Sequence, residues 1–497
     1  MRVMRAVRAV GTWVDHRLQV GAAIHAAATH PVPRRTASWA YVFGSASLVL
    51  LTLQVVTGIC LALVYVPSAS EAYASLLVLN FQQPLGWFLR AIHGWGSNFM
   101  VAIVLLHMVQ VLLFGAYKYP RELTWLAGVG LLLMTLGMAF TGQILRWDQD
   151  AYWGLGIGAS VMGRVPLVGL QLVQILLGGP IIAGETLTRF FALHVFVIPG
   201  VLIALVGVHL LMVINLGVNE WPMPGRVVKR DTYLKEYHEL VQKDGLPFVP
   251  VAFQKDVVFA GLISLAVIFC SVWYGPFGPT GAPDPTIIET VPRPDFFFLW
   301  LFAALALMPP HMETFALLVG PVIGIALLLA LPFFAGEGEK SWRRRPVAVF
   351  TILIAGVSLA VFTSLARSAP FSPVMEAWSG APVPDQFLKG QTALTRQGAA
   401  VFQVKQCRNC HALGLEGGAR GPALDEVAVR LTRDQLIRQV IQGGGNMPAY
   451  GKNLNPAEVD SLVTFLETLH PPHIAPARDS KEPAVPALTP RSSAPSP

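Results

Sequence analysis

Four histidines stand inside two apolar stretches. His93 and His107 bracket HGWGSNFMVAIVLLH, and His194 and His209 bracket HVFVIPGVLIALVGVH. Polar groups are costly in hydrocarbon, so ionisable residues within membrane segments are functional by default. A helix rises about 1.5 Å and turns about 100° per residue. The 14-residue step from His93 to His107 therefore covers about 21 Å and returns the side chains to within about 40°. The 15-residue step from His194 to His209 covers about 22 Å and returns to within about 60°. A single intramembrane histidine is more often a hydrogen-bonded packing residue; four at matched heights are expected to bind something.

The two stretches are the second and fourth of seven apolar segments. With one span between them they run parallel, so His93 faces His194 near one membrane surface and His107 faces His209 near the other. Imidazole pairs at two levels of an apolar bundle suit two stacked bis-histidine haems, held without covalent bonds. Zinc would ask for more ligands or an open position. Gly44 and Gly58 in the first span are 14 residues apart, as are Gly128 and Gly142 in the third. Small residues at that spacing let a flat macrocycle approach the backbone, or simply let helices pack closely. Arg90, a turn before His93, could pair with a haem propionate or anchor the helix at the membrane edge.

A second chemistry lies near the other end. Residues 407–411 read CRNCH. Thiols at this spacing, Cys407 and Cys410, bond covalently to a haem, and the adjacent His411 supplies an axial ligand. Downstream, GGGNMPAYG offers Met447 as the sixth ligand. A redox CxxC would want a βαβ surrounding, and zinc a second ligand pair; neither is present in the sequence. Cys60 and Cys270 lie alone in apolar runs and are expected to be packing residues.

The elements that must position these groups follow from composition. Of 497 residues, 54% are hydrophobic and 13% charged. Soluble proteins carry about 25% charged residues, so most of this chain belongs in lipid. Its net charge of +7 is spread between apolar segments, which suits membrane orientation and argues against nucleic-acid binding. Spans are expected near 39–65, 88–114, 123–145, 188–216, 254–275, 311–334 and 346–367, with a re-entrant or interfacial piece at 296–308. The leader, the loops at 115–122, 217–253 and 335–345, and Lys255 hold 18 Lys and Arg, whereas the opposite loops hold 5. The positive-inside rule then puts the N-terminus in the cytoplasm and the region after residue 370 outside it. Covalent haem attachment occurs on that same outer side. The expected architecture is all-α. It comprises a basic amphipathic leader (1–37), a four-helix haem-binding bundle (38–217), a three-span part (218–370), a linker (371–395), a small soluble helical domain (396–470) and a disordered tail (471–497).

At this point the chain resembles cytochrome b of the Rieske–cytochrome b quinol-oxidising complexes, fused to a class I cytochrome c. The stretches that carry the resemblance are LQVVTGICLALVYVP, AIHGWGSNFMVAIVLLH, KYPRELTWLAGVGLLLMTLGMAFTGQILRWDQDAYWG, the His194–His209 pair and VPRPDFFFLW. The longer second histidine spacing is similar to the branch that includes the photosynthetic complex, with both halves of the b subunit continuous here. The family's outer quinol site uses Pro-Glu-Trp-Tyr, and the matching residues are Pro294, Asp295, Phe296 and Phe297. The resemblance implies that Asp295 takes the glutamate's role as proton acceptor, on a side chain one methylene shorter. Arg146 stands where the family has Pro, and Gly94 where the photosynthetic branch has Arg. Leu50 stands where that branch attaches an extra haem, so none is expected.

The resemblance further implies a bacterial inner-membrane homodimer among lipid, acting on the quinone pool. Quinol docks near Asp295, and one electron leaves to a separate Rieske iron–sulfur protein and on to the Cys407/Cys410 haem and a high-potential acceptor. The other electron crosses from the 93/194 level to the 107/209 level and reduces quinone at the inner face. A competing reading is a dihaem anchor for a dehydrogenase or reductase without bifurcation; VPRPDFFFLW and three further spans weigh against it.

Overall fold

In the computed structural model the chain begins with two exposed helices, Arg2–Leu18 (α1) and Val20–Thr29 (α2), followed by Phe43–Ala62 (α3), Ala72–Phe81 (α4), Gly86–Leu113 (α5) and Glu122–Ile144 (α6). Two helices then pack on one another, Gln149–Gly163 (α7) and Gly169–Leu177 (α8). Gly184–Ala192 (α9) runs through a π segment, Leu193–Val197, into Ile198–Leu216 (α10). Beyond these lie Tyr233–Asp244 (α11), Phe253–Tyr274 (α12), Phe296–Leu307 (α13), Pro310–Phe334 (α14) and Pro346–Ser368 (α15). The structure describes residues 2–18, 20–179, 182–283, 293–368, 382–405, 407–409, 411–414, 416–417, 421–443, 447, 450–451 and 454–471. The tail beyond 471 and the first part of the linker, 371–381, lie outside them.

Seven helices among the described residues are long and apolar enough to cross a membrane, α9 and α10 counting as one rod, Gly184–Leu216. The expected all-α class and seven spans are borne out. The short α13, at 12 residues, reaches only about 18 Å and packs along α15.

The π segment has a sequence cause. Pro199 has no N–H to give and its ring crowds the preceding turn. The helix relieves this by closing i→i+5 and taking one extra residue into the turn. That residue absorbs the difference between the 15-residue and 14-residue histidine steps, so the second pair is brought to the register of the first.

Among the described residues, α5 packs most closely on α3 and α10 most closely on α6. Ala46 and Leu50 of α3 interlock with Met100 and Ile103 of α5 and Val267 of α12. The histidine helices thus sit on opposite walls. Cys60, expected as packing, is instead exposed, because the α3 surface that meets α5 runs through Ala46, Leu50 and Thr57.

The loops at 217–252 and 335–345 are bound together by a buried cation. Lys340 is 1% exposed, and its Nζ donates to Asn219 Oδ1 (2.5 Å) and the Tyr233 hydroxyl (2.8 Å) beside Glu220 Oε1 at 3.4 Å. Antiparallel pairing of Val227–Val228 with Gly338–Glu339 fixes the two loops alongside. Burial pulls the Lys340 ammonium down to about 7, against the opposing pull of Glu220. Removing one member of a buried pair strands the other, at a cost of about 3–5 kcal/mol. We expect Lys340→Met to lower stability by about 3 kcal/mol, read as a fall in the thermal unfolding midpoint in detergent, with α-helix content unchanged before the transition.

A second compact unit lies C-terminal to these helices in the chain. Its helices are Ala393–Val404 (α16), Val427–Arg430 (α17), Arg433–Gln442 (α18) and Pro456–Leu466 (α19). Thr392 caps α16 and Asn455 caps α19, each side chain accepting a backbone N–H. α16 crosses α19 at Gly398, where an added Cβ would sit 1.9 Å from the Ser461 carbonyl oxygen, and Phe402 packs on Phe465 at 5.6 Å.

Candidate haem and quinone sites

The rings of His93 and His194 face each other with centroids 6.3 Å apart and planes at 79°. An iron between two imidazoles needs two bonds of about 2 Å and roughly 1 Å more from each nitrogen to its ring centre, about 6 Å in all. The separation therefore fits. Each ring is also held in one tautomer. Thr57 Oγ1 gives its hydrogen to Leu53 O (2.6 Å) and so accepts from His93 Nδ1 (2.9 Å). Thr141 Oγ1 donates to Gly137 O (2.8 Å) and accepts from His194 Nδ1 (3.0 Å). With Nδ1 protonated, Nε2 keeps its lone pair for a metal. Neither threonine is singled out by apolar periodicity. The signal was the doublet Thr-Gly, which occurs at 57–58 and again at 141–142.

His107 and His209 are likewise enclosed, with the Gln110 side chain beside His107 and the Thr124 backbone beside His209. Each of the four imidazoles meets one of the spaced glycines. A Cβ on Gly44 would lie 3.4 Å from His107, on Gly58 3.2 Å from His93, on Gly128 3.7 Å from His209 and on Gly142 2.7 Å from His194. The glycine spacing therefore clears room for the rings themselves.

Arg90 is buried and bonded within the protein. Its Nε donates to Asn80 Oδ1 (2.8 Å) and its Nη2 to Gly278 O, tying α5 to α4 and to the strap at 275–281. The same strap explains Gly94: a Cβ there would lie 3.0 Å from Phe277, whose ring packs at a tilt on Trp95 at 4.7 Å.

Asp295 stands at the N-cap of α13, its N–H directed at Gln143 Oε1 (3.4 Å) and its Oδ1 3.6 Å from Arg146 Nη1. Burial raises its carboxyl above the usual carboxylate range, Arg146 opposes this, and Asp148 and Asp150 add to it. Behind it opens a cavity of about 840 Å³, walled by Phe296, Phe297 and Trp300 of α13, Leu136 of α6 and Leu359 of α15, with Arg367 on its lining. Phe297 is packed against Val101 and Ala139. Of the four expected quinone-site residues, Phe296 and Phe297 line the cavity, whereas Pro294 and Asp295 are not on its wall.

In the second unit, Cys407–Asn409 form a short turn that returns the His411 N–H to Cys407 O at 3.0 Å. His411 Nδ1 donates to Pro422 O (2.8 Å), again leaving Nε2 unprotonated. Gly421 leaves space for that ring, since a Cβ would lie 2.4 Å from it. Met447 Sδ sits 3.5 Å from Gln439 Nε2. Cys410 lies outside the described residues.

Residues 28–217 match the family model Cytochrome b/b6/petB, and residues 393–466 match that of Cytochrome C oxidase, cbb3-type, subunit III. A cytochrome bc complex cytochrome b subunit of Chlorobaculum thiosulfatiphilum is 32% identical over 352 residues, 70% of this chain and 78% of that protein. Cytochrome b6 of Heliobacterium mobile is 38% identical over 209 residues, 42% of this chain and 98% of the relative. A solved chain described as Hyperthermophilic respiratory Complex III superposes with a TM-score of 0.63 at 29% identity, covering 73% of this chain and 92% of that one. The chain belongs to the cytochrome b family and carries a C-terminal cytochrome c domain. These domains imply both haem b and haem c.

At the 93/194 level the tightest approach is Gly142 to His194. We expect Gly142→Ala to displace that imidazole and lower bound b haem, read from reduced-minus-oxidised spectra. Gly207→Ala, where nothing lies within 4 Å of an added Cβ, should retain the full complement.

Proposed function

We propose that this chain is the dihaem-b, monohaem-c subunit of a quinol:cytochrome c oxidoreductase, or of one serving another high-potential acceptor. It carries electrons across the membrane and couples quinol oxidation to proton translocation by a Q-cycle with a separate Rieske protein. The observation that supports this most is the pairing of His93 with His194 at the spacing of a shared iron, on helices that carry a second buried pair one membrane level away. His93 and His194 would hold one b haem, His107 and His209 the other, and His411 with Met447 the c haem attached at Cys407 and Cys410. Bound there, the haems supply one-electron redox centres in an interior that bars free charge.

The chain's own residues do the rest. The apolar cavity behind Phe296 and Phe297 takes a quinol ring or its tail out of lipid. Asp295, at the polar rim, accepts a proton from the quinol hydroxyl on the outer side. The threonine and carbonyl acceptors on Nδ1 keep the imidazole lone pairs aimed at metal. The cationic loops around Lys340 belong to the cytoplasmic face, which makes the inner-membrane topology N-terminus in, cytochrome c domain out. A homodimer in lipid, fed by the quinone pool, completes the assembly.

The test is a haem count followed by a reconstituted assay. A pyridine haemochrome spectrum should give two b haems to one c. Quinol oxidation should require an added Rieske protein, and Asp295→Asn should lower kcat by about 100-fold with haem content intact. Quinol oxidation that is independent of a Rieske partner would favour the dihaem anchor. A single b haem would discard the pairing.

A further inference from the structure

Asp295 does not stand alone at its end of the bundle. The segment RWDQD, residues 146–150, folds against it. Arg146 Nη1 lies 3.6 Å from Asp295 Oδ1, and Arg146 Nε lies 3.5 Å from Asp148 Oδ2. Neither contact is a hydrogen bond, and the buried Nε has no hydrogen-bond partner. The guanidinium is held between two carboxylates by charge.

The backbone is bent to arrange this. Trp147 has φ +43°, a conformation strained for a bulky residue, and it is fastened by Nε1 to Ala69 O at 3.2 Å. Asp148 is fully enclosed and accepts from Ala151 N (2.9 Å) and Thr280 N (3.2 Å). Asp150 follows on the first turn of α7, and Arg90 acts on Arg146 and Asp148 from α5. The charged groups that act on Asp295 are Arg146 against Asp148 and Asp150, with Gln143 neutral; Arg90 acts one step out, on Arg146 and Asp148, while Arg293 lies two residues before it and Arg367 of α15 lines the cavity behind.

We propose that Arg146 is a positioning residue that holds Asp295 ionised and oriented to take the quinol proton, with the added proton shared by the neighbouring carboxylates. This rests on the quinol reading above. In the step, the quinol O–H bond breaks and its electron pair stays on the quinol oxygen. An O–H bond forms on Asp295, and Arg146, relieved of that partner, leans to Asp148. Burial, then Asp148 and Asp150, push the Asp295 carboxyl up while Arg146 pulls it down. The two kinds of neighbour therefore give opposite signs on removal.

The experiment is the pH profile of kcat/KM for quinol oxidation by the assembled complex. An opposite charge within a few ångströms shifts a carboxyl by about 1–3 units. Arg146→Gln should move the acid limb up by about 1 pH unit, Asp150→Asn should move it down, and Arg146→Lys should stay near the wild type. A profile that only scales in height, with its limb unmoved in both Arg146→Gln and Asp150→Asn, overturns the proposal. Should a variant fail to assemble, infrared titration of the purified chain labelled at aspartate carboxyls reads the same shifts. The band to follow is the one lost in Asp295→Asn, and its failure to move is equally decisive. If the wild-type complex oxidises no quinol, the quinol reading falls, while this titration still decides whether Arg146 governs Asp295.

Discussion

A nitrogen buried in hydrocarbon must have a partner, and four imidazoles therefore fix most of the transmembrane architecture. They demand two helices in register across a gap, so α5 leans on α3 and α10 on α6 rather than on each other. They demand clearance, so glycines stand opposite the rings. They demand a phase match between steps of 14 and 15 residues, and Pro199 supplies it by forcing a π turn immediately beside His194. Each of these features is costly or neutral by itself: a glycine in a helix, a proline in a span, a helix pair held apart. Together they are consistent only if something fills the space between the walls.

The polar rim obeys the opposite logic. There the chain can reach water, and charge is concentrated instead of avoided. Asp295, Arg146, Asp148 and Asp150 share a small volume where burial and mutual repulsion compete with a single central guanidinium. The strained Trp147 and the strap that covers Asp148 hold that volume one residue before the aromatic wall that Phe296 and Phe297 give an apolar cavity. An acid–base group next to a greasy pocket suits a substrate with a hydroxylated ring and a long hydrocarbon tail.

The approach of His93 to His194 was legible because its information lies in spacing along two helices, which 3.6-residue periodicity converts directly into position. So were the spans, and even the short α13, since length against bilayer thickness decides them. Three things were not legible. Thr57 and Thr141 act through hydrogen bonds to rings on other helices, so their role appears only when α3 meets α5 and α6 meets α10. Arg90, a turn before His93, read as a propionate partner or a membrane-edge anchor; that it also ties α5 to Asn80 and Gly278 was hidden, because these lie on a separate helix and on a strap 188 residues away. The Arg146 group reads as a departure from the family's Pro, with no hint in sequence that Asp295 lies within ion-pair reach.

The two membrane levels also differ chemically in a way that spacing could not reveal. At the 93/194 level each Nδ1–H is taken up by a threonine oxygen that has already given its own hydrogen away. At the 107/209 level the neighbours are of another kind, the Gln110 side chain beside His107 and the Thr124 backbone beside His209. A hydroxyl that has already donated to its own helix can only accept, so it fixes the tautomer of a ring on the neighbouring helix, which spacing along a single helix does not encode.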